Sequence, residues 1–225
     1  MSLLQSSTNK RRTALFFGSF NPVHCAHLML AQYVLLFAEV DDVWLVVSPQ
    51  NPFKESKDLA PAHHRLRMLQ IATGSVPTSE SPVDAQEGAQ PKIQEGAPRI
   101  SPCDIELSLP MPSYTVRTIE ALEVRHPQRE FVIVMGADNL PGLPKWREAD
   151  NLFRGRQLIV CPRPGEALNL EPVEQLGAHV KVLNAPLLEV SSTNIRQWVA
   201  AGLDVTHFVP AGVARYIAEH GLYRQ

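Results

Sequence analysis

Cysteine is scarce in this chain. Cys25, Cys103 and Cys161 are the whole complement, odd in number and far apart. Scattered thiols build no disulfide framework, so the expectation is a reducing, cytoplasmic setting. An excess charge of one sign is missing too. Lys and Arg number 21 against 23 Asp and Glu, a formal net charge of −2, so nothing marks a nucleic-acid surface. The longest apolar runs fall far short of the roughly 20 residues that a membrane span needs. Residues 1–12 are polar and basic apart from Leu3 and Leu4, unlike a signal peptide, and read as a flexible tail. Neither G-x-x-x-x-G-K-[ST] nor G-x-G-x-x-G occurs, which leaves P-loop and dinucleotide-fingerprint readings without support. Nothing in the composition sets an oligomeric state.

What is present alternates. Apolar runs at 14–17, 43–48, 100–107, 131–135, 158–161 and 180–183 read as strands. Between and after them, helical patterns cover 26–38, 61–73, 114–125, a short stretch near 145–152, 172–176, 192–201 and 211–220. Alternation with short connections predicts a single doubly wound, Rossmann-like α/β domain over 13–225, with a mostly parallel sheet and a C-terminal helical segment. Val43–Val47 and Phe131–Met135 are apolar throughout, as strands covered on both faces should be. One stretch breaks the rhythm. Residues 76–98 are rich in Pro, Ser, Glu, Gln and Gly without an aromatic, and read as a mobile surface insertion.

The most informative segment is Gly18-Ser19-Phe20-Asn21-Pro22-Val23-His24-Cys25-Ala26-His27, directly after a strand pattern. A tight turn and two histidines three apart at a helix start suit a polyphosphate, because free backbone N–H groups and the positive end of the helix dipole lie there. A transition-metal site is the rival reading, weakened by the lack of an obvious third ligand. Near the other end, Ser191-Ser192-Thr193-Asn194-Ile195-Arg196 places hydroxyls before an amphipathic helix, with an arginine one turn in. That is a second anion site, or else an N-capped surface helix with a solvated Arg. Ser48-Pro49-Gln50-Asn51-Pro52-Phe53-Lys54 is a proline-stiffened loop that can present Lys54 inward, although most loop lysines are merely solvated. His63-His64 reads as a solvated helix start.

The histidine element resembles the first signature of the nucleotidyltransferase α/β phosphodiesterase superfamily, and Ser191–Arg196 resembles its second. Asp104-Ile105-Glu106-Leu107 followed by Pro112-Ser113-Tyr114-Thr115, Gly136-Ala137-Asp138-Asn139-Leu140 with Trp146 beyond, and Leu158–Gly165 containing Arg163 resemble elements of the nicotinate-nucleotide adenylyltransferases in particular. The resemblance covers about 13–75 and 99–225. It departs from the pattern at Phe17 and Ala26, where glycines are common, and at Arg117, where Asp is.

The resemblance implies adenylyl transfer from ATP to nicotinate mononucleotide, giving deamido-NAD and pyrophosphate. It implies an ATP site of Gly18, Ser19, Phe20, His24, His27, Ser191, Ser192, Thr193 and Arg196, with His24, His27, Lys54 and Arg196 carrying the chemistry. The mononucleotide falls to Lys54, Tyr114, Thr115, Gly136, Asp138, Trp146 and Arg163. The start of the helix at Thr115 suits a pyridine carboxylate, Asp138 a pair of ribose hydroxyls, and Trp146 a pyridinium face. For Asp138 and Trp146 the bland alternatives are a helix cap and ordinary packing. Mg²⁺ would ride on the ATP phosphates, with no dedicated protein cage. Two alternatives stay open: preference for nicotinamide mononucleotide, and a catalytically silent nucleotide-binding protein, the latter motivated by Ala26.

Overall fold

Every position from Val43 to Val47 is apolar because that strand is covered on both sides, and its residues alternate between two cores. In the computed structural model, residues 10–49, 59–75, 99–162, 168–186 and 188–224 are described. The strands are β1 (Arg11–Gly18), β2 (Asp42–Val47), β3 (Arg99–Cys103), β4 (Arg129–Gly136), β5 (Gln157–Cys161) and β6 (His179–Val182). The helices are α1 (Cys25–Phe37), α2 (Ala62–Ala72), α3 (Thr115–Arg125), α4 (Ala149–Phe153), α5 (Glu171–Gln175), α6 (Ser192–Ala200) and α7 (Ala211–Glu219). All pairings are parallel, in the order β3-β2-β1-β4-β5-β6.

Each sheet face buries its own cluster. Ala14, Val43, Leu45, Val132 and Val134 pack with Val34 of α1, Met68 and Leu69 of α2, Ile195 of α6 and Ile217 of α7. On the other face Leu15, Val46, Ile133, Leu158 and Val160 pack with Ile119 and Leu122 of α3, Phe153 of α4 and Val173 of α5. The doubly wound reading therefore holds. Among the described residues, no helix is long and apolar enough to cross a membrane.

Three boundaries differ from the sequence reading. Arg11 and Arg12, expected in the tail, belong to β1 and pair with Arg129 and Glu130. Arg11 also grips the buried Asp42 through bonds of 2.6 and 2.9 Å, and Arg129 reaches the same carboxylate. Residues 1–9 lie outside the described residues, as does the whole stretch 76–98. Next, the strand expected over 100–107 ends at Cys103. Its last residues form a 3₁₀ helix, Ile105–Ser108, closed by Leu107 N–H on the Asp104 carbonyl at 2.8 Å. Finally, the short helix near 145–152 begins only at Ala149, after a longer 3₁₀ helix, Ala137–Lys145, that holds Pro141 and Pro144.

The strand order places a functional crevice. Between β1 and β4 the chain winds outward in opposite directions, and ligands of open α/β sheets bind outside the carboxyl ends of the strands at such a point. The histidine element follows β1, and the Gly136–Leu140 element follows β4. Both flank the crevice.

Candidate active site

Gly18 ends β1, and the chain turns so sharply that Phe20 adopts φ 46°, in the left-handed region. The Phe20 ring folds back over Gly18. A Cβ there would stand 2.9 Å from Phe20 Cζ, so only glycine leaves the ring its place. Phe20 is 1% exposed and meets the His27 ring edge-on at 5.1 Å, forming an apolar floor under that imidazole.

His24 is the N-cap of α1 and His27 lies in its first turn. Their rings stack with centroids 3.7 Å apart. His27 Nδ1 accepts the backbone N–H of His24 at 3.3 Å, which leaves the neutral ring's proton on Nε2 as a donor. Burial pulls the His24 pKa down to about 4, so this imidazole is neutral at pH 7. Its Nδ1 has no hydrogen-bond partner among the described residues. The helix start offers fewer donors than the sequence reading assumed. Cys25 N–H is taken by the Phe208 carbonyl at 2.9 Å, and His27 N–H by the His24 carbonyl at 3.0 Å.

The second signature reaches the first directly. Ser191 caps α6 by accepting Asn194 N–H at 3.1 Å, and Asn194 Oδ1 accepts Ser191 N–H in return at 3.2 Å. Ser192 Oγ donates to the Pro22 carbonyl at 2.9 Å. Arg196 Nη1 donates to the Asn21 carbonyl at 2.9 Å, and Nη2 to Thr193 Oγ1 at 3.3 Å. A guanidinium and two imidazoles from opposite ends of the chain thus sit around one loop.

Two residues with no assigned role in the sequence reading hold that loop. Arg65 of α2 is fully buried, yet four of its N–H groups donate to carbonyls: Ala60 at 2.9 Å, Ser19 and Ser48 at 2.7 Å each, and Pro49 at 2.9 Å. It ties the turn after β1 to the turn after β2. A cation in line with Met68 and Leu69 on one helix face was the available signal. Tyr223, beyond α7, donates to Asn21 Oδ1 at 2.8 Å across 202 positions of sequence, and no local pattern announces that.

At the mononucleotide side, Tyr114 is the N-cap of α3 and Thr115 its first residue. Ser113 Oγ is buried there with no hydrogen-bond partner among the described residues. Below, Thr118 Oγ1 donates to buried Glu106 at 2.8 Å, and burial raises the pKa of that carboxyl. Arg117, which departs from the expected Asp, pairs with Glu120 at 2.8 Å and Glu148 at 3.3 Å. Asp138 is exposed in the first turn of the 3₁₀ helix after β4, bonded by Asn139 Nδ2 at 3.3 Å. Trp146 is half-buried against Phe153, with centroids 5.7 Å apart, so its ordinary packing role is occupied. His64 is not simply solvated. Its Nδ1 bonds Tyr216 Oη at 2.9 Å. Lys54 and Arg163 lie outside the described residues.

A family model described as cytidylyltransferase-like matches residues 15–198, most of the chain. The chain belongs to the cytidylyltransferase-like family. Both signatures and the residues that join them fall inside the matched span. A protein of Bacteroides fragilis named a probable nicotinate-nucleotide adenylyltransferase is 36% identical over 210 residues, 93% of this chain and 92% of that one. A protein of the same name from Flavobacterium johnsoniae is 36% identical over 217 residues, 95% of this chain and all of that one (100%). The solved Plasmodium falciparum nicotinic acid mononucleotide adenylyltransferase complexed with NaAD superposes with a TM-score of 0.70, covering 95% of this chain and 97% of that one. At 20% identity, that likeness speaks to the fold.

Proposed function

We propose that this chain transfers the adenylyl group of ATP to nicotinate mononucleotide, releasing pyrophosphate and forming deamido-NAD. One observation carries the reading. Arg196 donates to the carbonyl of Asn21, on the same loop after β1 that leads into the stacked rings of His24 and His27, beside the crevice between β1 and β4. The full-length identity with relatives named nicotinate-nucleotide adenylyltransferases supports the same substrates.

In this reading a phosphate oxygen of the mononucleotide attacks the α-phosphorus of ATP. The new P–O bond forms as the α–β bond breaks, and pyrophosphate leaves with the electron pair. The nucleophile is already ionised at neutral pH, so the chain supplies position and charge stabilisation rather than a base. His24 and His27 donate to phosphate oxygens near the α-phosphorus, His24 as a neutral imidazole. Arg196 meets the β- and γ-phosphates, with Ser191, Ser192 and Thr193 beside it and Lys54 as a further cation. Gly18, Ser19 and Phe20 shape the floor.

The mononucleotide lies toward α3 and the β4 end. Its pyridine carboxylate faces Tyr114 and Thr115, where first-turn N–H groups favour an anion. Gly136, Asp138, Trp146 and Arg163 serve the ribose, ring and phosphate. Among the described residues no group of three or more His, Cys, Asp or Glu side chains stands arranged for a metal. A divalent cation, Mg²⁺ in this proposal, would be held mainly by substrate phosphates.

The deciding experiment measures pyrophosphate release from ATP and Mg²⁺ with nicotinate mononucleotide or its amide. Higher kcat/KM for the acid is expected. Equal values would remove the carboxylate cradle at Thr115, and no turnover with either would end the proposal. Arg196→Ala should raise KM for ATP far more than for the mononucleotide; equal weakening would contradict its placement.

A further inference from the structure

The turn after α7 carries a group that the reaction above does not use. Gly221 and Tyr223 both adopt left-handed backbone, with φ 59° and 61°. Glycine does so freely, whereas tyrosine does so only where its surroundings over-determine it. Here they do. The Tyr223 ring packs, like Leu222, against the core cluster to which α2 and α7 contribute, and its hydroxyl donates to Asn21 Oδ1 at 2.8 Å. The same oxygen accepts Ala60 N–H at 3.1 Å, immediately before α2. Burial raises the phenol's pKa far above its usual value, so the hydroxyl keeps its proton and remains a donor. Asn21 faces two ways: its side chain is fixed by Tyr223, and its carbonyl accepts Arg196 Nη1 at 2.9 Å.

We propose that Tyr223 is a positioning residue for the triphosphate: by fixing Asn21 it sets where the Arg196 guanidinium rests, and so couples the turn after α7 to ATP affinity. This deepens the adenylyl-transfer reading and rests on its placement of Arg196. The effect is modest in size, because Asn21 Oδ1 keeps the Ala60 donor when the phenol is lost. A neutral hydrogen bond of this kind is about a three- to ten-fold matter in an equilibrium constant.

The test is Tyr223→Phe, which deletes one oxygen atom and keeps the ring. Calorimetry with an ATP analogue whose α–β bridge cannot be cleaved should show affinity weakened about three- to ten-fold. Nicotinate mononucleotide should bind within a factor of about two of wild type. In an Arg196→Ala background the same substitution should produce no further loss for the analogue, and this cycle cancels any general loss of stability. Unchanged analogue affinity, an equal loss for both ligands, or the same loss in the Arg196→Ala background would each overturn the proposal. Reading binding rather than turnover separates the two ideas. A wild type that binds the analogue but catalyses nothing sinks the reaction and leaves this coupling to be judged on its own. A wild type that does not bind it sinks both.

Discussion

Arg65→Met removes a fully buried guanidinium and fills most of its volume, leaving the carbonyls of Ser19, Ser48, Pro49 and Ala60 without their donor. Hydrogen bonds to a charged group are worth about 1.5–3 kcal/mol each, but four around one centre do not add. Against the loss stands relief of a desolvation penalty of several kcal/mol, the same burial that lowers the pKa of Arg65. Where a buried cation is replaced together with its partners the exchange is near neutral. Here the partners are main-chain carbonyls and stay behind, so the variant falls on the destabilising side, by about 3 kcal/mol. In a chain of this size each kcal/mol shifts Tm by roughly 2–4 °C, so the melting point should drop about 6–12 °C. Urea unfolding at constant m-value checks the figure, and KM for ATP should rise because the turns after β1 and β2 are no longer tied. Arg65→Lys keeps the charge but not the fork, and should fall between the two. A stability within about 1 kcal/mol of wild type would refute the claim that these carbonyls depend on Arg65.

Two further outcomes follow from the histidine loop. His24 has its pKa lowered to about 4 from 6.5, so between those values the unfolded chain binds a proton that the folded one refuses. Stability must therefore fall as pH drops from 6.5 toward 4, by about 3 kcal/mol from this residue. Urea midpoints measured across that window should show a flatter slope for His24→Gln, and parallel slopes would place the loss elsewhere. Gly18→Ala puts a methyl 2.9 Å from Phe20 Cζ, and that ring is wedged between Phe16 and His27. The expected loss is about 1–3 kcal/mol with reduced turnover from a displaced His27 ring, and an unchanged melting point would show that the ring yields freely.

The strands were legible because burial on both faces writes itself as unbroken apolar runs, as in Val43–Val47 and Phe131–Met135. The helices showed through their periodicity, and a hydroxyl cap before α6 was readable, although the choice of Ser191 over Ser192 was not. Local chemistry misled at Asp104–Leu107. Ile105 and Leu107 look like strand residues, but among the described residues β3 pairs only with β2, and the last residue of β2 in that pairing is Val46, opposite Cys103. Beyond that point a 3₁₀ turn satisfies the backbone instead. The signatures displayed His24, His27 and Arg196 and hid the residues that hold their loop. Arg65 donates to positions up to 46 residues away, and Tyr223 to one 202 away, contacts that no spacing rule encodes. Trp146 differs again: packing on Phe153 and stacking on a ligand draw on the same residue type, and sequence alone does not separate them.

Arg65 and Arg196 meet the same loop with opposite chemistry. Arg65 is wholly enclosed and commits four of its five N–H groups to carbonyls, so it cannot turn to a ligand without leaving those acceptors unpaired in a dry interior. Arg196 is half-buried and donates to two neutral oxygens, those of Asn21 and Thr193. A phosphate accepts a charge-assisted bond about twice as strong as a neutral one. A triphosphate can therefore draw Arg196 off Thr193 while the Asn21 carbonyl keeps the guanidinium in place and Arg65 keeps the turns after β1 and β2 in register. The enclosed arginine fixes the frame, and the half-exposed one remains available for exchange.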